Sequence, residues 1–397
     1  MDIKIIYLRS EISSSNPFTD LQKQTFQNYL AKEERIKVSD QGTPFFFIES
    51  GGTEELFRRI YKDYKPPYYL IATDANNSLP AALEIASFLR KNNLEYRIIH
   101  EQLSRLPISL LEKIDSNEVH LESLKERKQF LKGERLGVVG MPSDWLISSD
   151  VNYQKAKDTF GVELINISFD EFHHEILEEH KFEVDYKELL NHVNSVIKQK
   201  DIDDALQIYG ALKYLIEKYK LNGLTVRCFD LLSTVKSTSC LALALLNKEG
   251  ITATCEGDIP AMLSMHIIMK QFGQSSFQAN PSYIKEEENY LYLAHCTLPL
   301  DMVSSYRFDT HYESGIGLGI KGELLPKEIT IFKLSSNLEE YLCLEGNIEN
   351  NLDIKSLCRS QIKVHVSTEI KNIKAKPCGN HLIVFYGHHK DELKKVL

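Results

Sequence analysis

Residues 251–272 read ITATCEGDIPAMLSMHIIMKQF, and this stretch decides the fold class. Its first residues form an apolar run rich in β-branched side chains, which predicts a strand. The apolar helix that follows begins where Asp258 can cap it and Pro260 can occupy its first turn. Glu256 and Gly257 lie between the two elements. A strand, a turn and a helix form one βα unit, and repeated βα units predict a parallel sheet.

The same alternation of strands and helices occurs upstream, in two blocks. The first contains predicted strands IKIIYL, PFFFIE and YYLIAT, the last followed by a helix with Ser78 as its expected N-cap. The second begins near Gly133 with strand RLGVVG and continues through helix DDALQIYGALKYLIEKYKL, strand LTVRCF and helix CLALALLNKEG. We therefore predict a doubly wound α/β domain over residues 1–133 and a second over residues 134–272, which carries Glu256.

From about Gly273 the pattern changes to strands separated by turns. The β-rich segments are SSFQAN, NYLYLAHC, GIGLGIKGEL, EITIFKL, QIKVHVS and HLIVFYG, and the tail holds the first clear helix after them. This pattern predicts a β-rich, barrel-like C-terminal domain over residues 273–397. The glycines of GIGLGIKGEL open no helix, whereas a dinucleotide-binding fingerprint requires a strand, a glycine turn and a helix together. A nicotinamide-dependent dehydrogenase is therefore disfavoured.

Composition argues against several kinds of partner. The 397 residues are 43% hydrophobic and 26% charged, which is typical of a globular protein, and the formal charge is −9 without a long basic run. This charge argues against nucleic acid or an anionic membrane surface as the main partner. No stretch approaches the roughly 20 apolar residues of a membrane helix. All seven cysteines lie from Cys228 onward without a C-x-x-C pair, which predicts reduced thiols and a cytoplasmic location.

Glu256 is the residue of the opening stretch that has no obvious structural role. Asp258 is explained as a helix cap, but Glu256 ends a predicted buried strand, at the sheet edge where ligands of open α/β folds bind. One interpretation is a functional carboxylate. The alternative is a structural ion pair with a basic residue such as Arg227, which lies on a probable neighbouring strand. The residues alone leave both open.

Five motifs carry a resemblance to a known family: CEGDIPAMLSM, FQANPS, LYLAHCTLP, THYESGIGLGIKGEL and GNHLIVFYG. In this order and at these separations they resemble the L-fucose/L-arabinose isomerase superfamily, and within it the shorter fucose-isomerase-like branch. The resemblance is strongest from Thr225 to Gly387. It implies a site for a divalent metal ion, usually Mn²⁺ and otherwise an ion such as Mg²⁺, that serves aldose–ketose interconversion of a small sugar. It also implies a homo-oligomer in which a neighbour's N-terminal domain covers the pocket.

The resemblance also assigns residues to the chemistry. Glu256 corresponds to a glutamate that is a metal ligand and the catalytic base, and His381 to the third metal ligand. Asn280 falls where the family has the aspartate that is the second acid and second ligand. We therefore predict Glu256 and Asn280 as the catalytic pair, and Glu256, Asn280 and His381 as the metal ligands. Carboxylate, amide oxygen and imidazole suit Mn²⁺ or Mg²⁺.

Asn280 is the departure from the family pattern, and it leaves several functions open. An amide oxygen can coordinate a metal ion but cannot act as a base near neutral pH. The first interpretation is an active isomerase that forms an ene-diolate, and the second is a catalytically silent sugar-binding or regulatory relative. A sugar epimerase shares the ene-diolate and is the third. With Asn280 in place of aspartate, the site has a net charge of about +1, which favours an anionic sugar and weakens metal binding.

Seven further residues are predicted to contact the sugar or its anionic group: Arg227, Lys236, Ser237, Thr238, His311, Glu313 and Asn380. Either Ser237 or Thr238 is also expected to cap the following helix. His311 and Glu313 are alternatively expected to orient the metal ligands from outside the metal's own shell. His295 is expected to pack within the β-rich domain.

Overall fold

The computed structural model describes residues 1–11, 17–111, 121–124, 129–178, 180–193, 196–366 and 370–397. Three large sheets organise this part of the chain, and a two-stranded ribbon accompanies the third. Two of the large sheets are parallel and carry helices, and the third is an antiparallel barrel. This arrangement matches the predicted α/β architecture with a β-rich C-terminal part.

The first sheet has five parallel strands in the order β2-β1-β3-β4-β5. They are β1 (Asp2–Leu8), β2 (Lys37–Val38), β3 (Thr43–Ile48), β4 (Tyr68–Ala72) and β5 (Tyr96–His100). The helices are α1 (Pro17–Leu30), α2 (Glu54–Ile60), α3 (Ser78–Lys91) and α4 (Leu106–Ser109). Successive β3 side chains pack on opposite faces, with Phe46 against Phe57 of α2 and Phe47 against Phe26 of α1. Helices therefore cover both faces of this sheet, as in a doubly wound fold.

The second sheet has four parallel strands in the order β10-β9-β7-β8. They are β7 (Arg135–Val139), β8 (Glu163–Ile167), β9 (Gly223–Val226) and β10 (Thr252–Cys255). The helices are α5 (Tyr153–Phe160), α6 (Phe169–Leu177), α7 (Tyr186–Leu190), α8 (Gln199–Tyr219), α9 (Asp230–Thr234), α10 (Cys240–Lys248) and α11 (Ile259–Phe272). Side chains of α6, α8 and α10 share one apolar core, and those of α5 and α11 share another.

The third sheet closes into an antiparallel barrel in the order β15-β18-β11-β12-β17-β16, because β15 also pairs with β16. Its strands are β11 (Phe277–Lys285), β12 (Tyr290–His295), β15 (Glu328–Leu334), β16 (Glu340–Asn351), β17 (Ser360–Val366) and β18 (Leu382–Tyr386). The short strand β6 (Glu122–Ser123) pairs with β16. Strands β13 (Val303–Asp309) and β14 (Gly319–Leu324) form the ribbon, and α12 (Asn372–Ala375) and α13 (Lys390–Val396) complete the chain.

Two predicted helix caps are wrong. Ser78 lies inside α3, which begins after Asn77, and its hydroxyl group instead bonds backbone groups at the ends of β3 and β4. Neither Ser237 nor Thr238 caps α10, because Ser239 occupies that position without a capping hydrogen bond from its side chain. In both cases tertiary contacts decide the role of a hydroxyl group that local sequence assigned to a helix end.

Six strands were not predicted: β2, β5, β6, β8, β13 and β16. Each of the six contains a charged residue that interrupts the apolar pattern. The strand predicted over residues 361–367 is Ser360–Val366, and residue 367 lies outside the described residues. All seven cysteines are buried free thiols. Over the described residues, no helix combines the length and the hydropathy required to cross a bilayer.

Candidate active site

A pocket with about 410 Å³ of empty space lies where the carboxyl ends of the two parallel sheets meet the barrel. Its wall includes Gly51 and Asn77 after strands of the first sheet, Glu256 after β10, and Asn280 and Asn380 from the barrel. A second pocket shares part of this wall. Ligands of open α/β sheets bind at such carboxyl edges.

The turn that presents Glu256 has an uncommon backbone conformation. Glu256 adopts φ +66° and Gly257 adopts φ +73°. The left-handed region costs a residue with a Cβ roughly 1–2 kcal/mol. The backbone of Met141 lies so close that an added Cβ at Gly257 would collide with it, and the Ser143 N–H donates to the Glu256 carbonyl oxygen at 2.9 Å. The turn is thereby held against the loop after β7. Such strain at a pocket is typical of a functional site.

Three side chains converge on the Glu256 carboxylate. Trp145 Nε1–H donates to Oε2 at 2.8 Å, while Oε1 lies 3.4 Å from His381 Nε2 and 3.7 Å from His295 Nε2. Glu256, His295 and His381 are all buried, and one ligand atom from each lies within 4.8 Å of the others. The structure therefore brings His295, which we expected only to pack within the β-rich domain, to the same carboxylate as His381.

The partners of the two imidazole rings fix their orientation. His381 Nδ1 lies 2.8 Å from Asp258 Oδ2, and the same oxygen accepts a hydrogen bond from Lys333 Nζ at 2.7 Å. Asp258 Oδ1 caps α11, as predicted. His295 Nδ1 is 2.9 Å from Thr297 Oγ1. Each ring thus uses Nδ1 for a structural contact and directs Nε2 toward Glu256, which is how partner groups orient metal-binding histidines.

Several buried polar atoms in the wall or beside Glu256 have no hydrogen-bond partner among the described residues. They are Asn280 Oδ1, Asn380 Oδ1 and His381 Nε2. Asn280 pairs with Ala294 of β12, and its neighbour Ala279 pairs with Leu382 of β18, so β11 lies between the strand that ends in His295 and the strand that follows His381. Because an unsatisfied buried polar group is unfavourable by about 1–3 kcal/mol, these atoms point to a bound group. The donor set fits a divalent cation such as Mn²⁺ or Mg²⁺.

Charge interactions set the protonation of this cluster. Burial raises the pKa of Glu256, but His381 and His295 outweigh it and hold that pKa well below its usual range. Burial lowers the pKa of His381, but Glu256 and Asp258 outweigh it and raise that pKa to about 9. Burial likewise raises the pKa of Asp258, whereas Lys333 and His381 bring it to about 2. Glu256 is therefore an ionised carboxylate, stabilised by the two imidazoles.

Two further carboxyl groups face the pocket. Asn77 Nδ2 donates to Glu313 Oε1 at 2.7 Å, and Asn280 Nδ2 donates to Asn77 Oδ1 at 3.4 Å. Burial raises the pKa of Glu313 to about 7. Glu54 is 1% exposed, and burial raises its pKa well above the usual range. Three carboxyl groups with separated pKa values in one pocket can divide the roles of acid and base.

Arg227 does not form the ion pair with Glu256 that was one of its two predicted roles. Its guanidinium group binds Asp144 at 2.8 Å and Asp230 at 2.9 Å. It also donates to the Pro142 carbonyl oxygen. Arg227 is absent from the walls of both pockets. The structure therefore gives Glu256 other partners, and it leaves sugar binding by Arg227 as a prediction.

The other predicted sugar-binding residues separate into two groups. Thr238 and His311 line the second pocket, and burial lowers the pKa of His311 to about 4. Lys236 is exposed, and the buried Ser237 hydroxyl group has no hydrogen-bond partner among the described residues. Neither residue is in the wall of the two pockets.

Sequence reasoning missed four residues of the site: Glu54, Asn77, Trp145 and His295. Three of them had a usable signal. Asn77 follows the predicted strand YYLIAT, and His295 lies near the end of the predicted strand NYLYLAHC, within a motif that carries the family resemblance. Trp145 is the only tryptophan, in the loop after strand RLGVVG. Glu54 had none, because an acidic residue in the first turn of a helix is ordinary.

Comparisons with known proteins support a sugar isomerase. A scan against models of protein families finds no match. The sulfoquinovose isomerases of Priestia aryabhattai and of Priestia megaterium (strain ATCC 12872 / QMB1551) are each 23% identical to this chain over 350 residues, 81% of this chain and 74% of theirs. The sulfoquinovose isomerase of Clostridium sp. (strain MSTE9) is 27% identical over 212 residues, 49% of this chain and 46% of its own.

These similarities place the chain among enzymes, as an intramolecular oxidoreductase of the aldose–ketose isomerase type. The coarser part of the family prediction, a carbohydrate isomerase, is thereby supported. Its finer part, the fucose/arabinose isomerase superfamily, stays a prediction.

Proposed function

We propose that this protein is a metal-dependent isomerase that interconverts an open-chain sulfonated aldose and its ketose, with Glu256 as the base at carbon. The observation that carries the proposal is the buried group of Glu256, His295 and His381, in which the Nε2 atom of His381 has no hydrogen-bond partner in the part of the chain that the structure describes. The chemical class comes from the relatives named sulfoquinovose isomerase, since sulfoquinovose is a glucose derivative with a sulfonate group on C6.

Four side chains would hold the metal ion: Glu256, His295 and His381, with Asn280 through its Oδ1, which no described residue contacts by a hydrogen bond. This set keeps the three ligands expected from the sequence and adds His295. All are hard or borderline donors, which suits Mn²⁺ or Mg²⁺. A bound ion of this kind supplies positive charge to stabilise the ene-diolate of the sugar.

The protein's own residues would move the proton at carbon. Glu256 is ionised and 7% exposed, so its carboxylate can take a proton from the carbon next to the carbonyl group and return it to the adjacent carbon. Trp145 fixes one carboxylate oxygen and leaves the other directed at the two imidazoles. Asp258 and Thr297 hold those imidazoles in place. The site is thus preorganised for one carbon-to-carbon proton transfer.

Recognition of the sulfonate group has a specific requirement. The walls of the two described pockets contain no lysine or arginine. The anionic end of the sugar would therefore be bound by residues outside these walls. The homo-oligomer implied by the family resemblance offers a neighbouring subunit as their source. The net positive charge that Asn280 leaves on the metal site also favours an anionic sugar.

Deuterium exchange followed by NMR tests the proposal. Protein loaded with Mn²⁺ and freed of excess ion is mixed in D₂O with sulfoquinovose, a sugar phosphate, and neutral aldoses and ketoses. We expect loss of the C–H signal next to the carbonyl group, with formation of the ketose, for the sulfonated sugar. We expect neither in Glu256→Gln. The matched control is His388→Gln, whose ring bonds the Gly346 carbonyl oxygen away from the pocket walls.

Other outcomes of this experiment would replace the proposal. An epimer in place of a ketose would identify an epimerase. Exchange with neutral sugars alone would contradict the sulfonated substrate. No exchange with any sugar, despite confirmed binding of metal ion and sugar, would identify a sugar-binding relative and make Asn280 the reason.

A further inference from the structure

Isomerisation of an aldose requires a proton transfer between carbons and another between oxygens, and Glu256 accounts for the first. We infer that Glu313 is a second catalytic residue, which moves the hydroxyl proton of the substrate between the two oxygens. The inference rests on the proposed function and deepens it. It answers the question that Asn280 raises, because an amide cannot carry a proton at this position.

The position of Glu313 carries the inference. Glu313 lies in the walls of both pockets, together with Glu256 and Asn280. Its Oε1 accepts from Asn77 Nδ2 at 2.7 Å, and Asn77 Oδ1 accepts from Asn280 Nδ2 at 3.4 Å. The carboxyl group is therefore two hydrogen bonds away from the amide of Asn280. A carboxyl group on a loop outside β11 therefore borders the same space as Asn280.

The loop that carries Glu313 is anchored on both sides. The His311 N–H donates to the Ile316 carbonyl oxygen, and the Gly315 N–H donates to the His311 carbonyl oxygen. The Tyr312 hydroxyl group donates to Asn76 Oδ1 at 3.1 Å, which fastens the loop to the turn that also holds Asn77. Glu313 is therefore held toward the pocket rather than free in solvent.

Other titratable groups near the pocket fit the role less well. Glu54 lines only the first pocket, and burial raises its pKa well above the usual range, which favours the protonated form. Burial lowers the pKa of His311 to about 4, which keeps this ring neutral and a weak base. Burial raises the pKa of Glu313 to about 7, so this carboxyl group can both give and take a proton.

The transfer balances as follows in the direction from aldose to ketose. Glu256 takes the C2 proton, the C2–H electron pair becomes the C1–C2 double bond, and the carbonyl π pair moves to O1. Glu313 starts as the carboxylic acid, gives its proton to O1 and takes the proton of the O2 hydroxyl group. The O2–H electron pair forms the new C2 carbonyl group, and the C1–C2 double-bond pair takes the proton from Glu256 to form the new C1–H bond. Both carboxyl groups end in their starting states.

The test compares carbon exchange with product formation in Glu313→Gln, using sulfoquinovose and Mn²⁺-loaded protein in D₂O. Proton removal from C2 does not need the second group, so deuterium should still enter the recovered aldose at a rate within about tenfold of the wild type. Ketose formation should fall by about 100-fold or more, which is the usual size of a lost acid–base group. The ratio of the deuterium exchange rate to the rate of ketose formation therefore rises in this variant. Glu54→Gln tests the competing carboxyl group of the first pocket. His388→Gln, whose ring bonds the Gly346 carbonyl oxygen away from the pocket walls, is the matched control, and its ratio should equal that of the wild type.

Each other result has a defined meaning. Equal loss of exchange and product in Glu313→Gln, or no loss of either, overturns the inference, and a raised ratio in Glu54→Gln alone transfers the role to Glu54. Glu313→Asp keeps a carboxyl group and should raise the ratio less, which preserves the test if the glutamine variant misfolds. Wild-type protein with neither exchange nor product overturns the proposed function itself. Wild-type turnover with an unchanged ratio in both Glu313 variants overturns only the inference.

Discussion

Glu256 and Asp258 lie two residues apart in one turn, and their surroundings differ. Asp258 is completely buried, caps α11, and contacts Lys333 and His381 at 2.7 and 2.8 Å. Among the described residues, the Glu256 carboxylate accepts one hydrogen bond, from Trp145, and lies 3.4 and 3.7 Å from two imidazole nitrogens. A buried carboxylate with all its partners maintains the structure, whereas one with partners at longer distances has room for a ligand. Within one turn, Asp258 therefore belongs to the scaffold of the fold and Glu256 belongs to the site.

The same difference extends over two larger groups of side chains. The charged scaffold consists of Asp258, Lys333 and Glu84, and Glu84 accepts from the Ser148 N–H at 2.7 Å. The polar wall consists of Glu256, Asn280, Asn380 and Glu313, and contains two amide oxygens without hydrogen-bond partners among the described residues. Changes in the scaffold should therefore act on stability, and changes in the wall on metal binding and turnover.

The largest expected effect is on the scaffold. Asp258→Ala leaves Lys333, which is 0% exposed, as a buried charge without its partner. Breaking a buried ion pair in this way typically destabilises a protein by about 3–5 kcal/mol. We expect a large fall in the urea midpoint, measured by circular dichroism. Adding Lys333→Met should recover part of the loss. A midpoint equal to that of the wild type would mean that this pair does not maintain the fold.

The second largest expected effect concerns Trp145, which lines the first pocket beside Glu256. Trp145→Phe keeps an aromatic ring against Phe229 and removes the hydrogen bond to Glu256 Oε2. A hydrogen bond to a charged group is worth about 1.5–3 kcal/mol, so we expect kcat/KM to fall by roughly 10- to 100-fold. The urea midpoint should change little. The opposite pattern, a lower midpoint with unchanged kcat/KM, would place Trp145 in the scaffold.

A smaller effect is expected for Asn280→Asp, which adds a carboxylate to the polar wall. The added negative charge should tighten Mn²⁺ binding by about tenfold, or about 1.4 kcal/mol, because the site with Asn280 has a net charge near +1. Isothermal titration with Mn²⁺ measures this change. Weaker binding than in the parent protein would contradict the charge argument.

The smallest effect is expected where an ion pair lies at the surface. Lys155 and Glu339 contact at 2.5 Å, but their side chains are 37% and 62% exposed. Exposed pairs contribute about 0–1 kcal/mol, so Lys155→Met should shift the urea midpoint only slightly. A shift as large as that of Asp258→Ala would show that burial does not decide how much these ion pairs contribute to the free energy of unfolding.

Local signals in the sequence were sufficient for part of this account. The strand, turn and helix around Glu256 follow from apolar runs and from the cap at Asp258, and both are present. The change to strands after residue 273 predicted the barrel correctly. Each of these features depends only on residues that are close together in the sequence, so a single sequence is sufficient to predict it.

Long-range pairing explains what was missed. His295 meets Glu256 because β11 lies between β12 and β18, a register that spans more than one hundred residues of chain. Lys333 is fully buried because it contacts Asp258, and a sequence gives no sign of such burial for a lysine. The network from Asn280 through Asn77 to Glu313 likewise joins residues from distant parts of the chain.

Mn²⁺ binding to metal-free protein tests the central claim most directly, because the unsatisfied atoms around Glu256 are explained by a bound cation. Isothermal titration should give one ion per chain. His381→Gln and His295→Gln should each weaken binding by at least about tenfold, since each removes a ligand, while His388→Gln should bind like the wild type. No binding by the wild type, or equal binding by all three variants, would contradict the account.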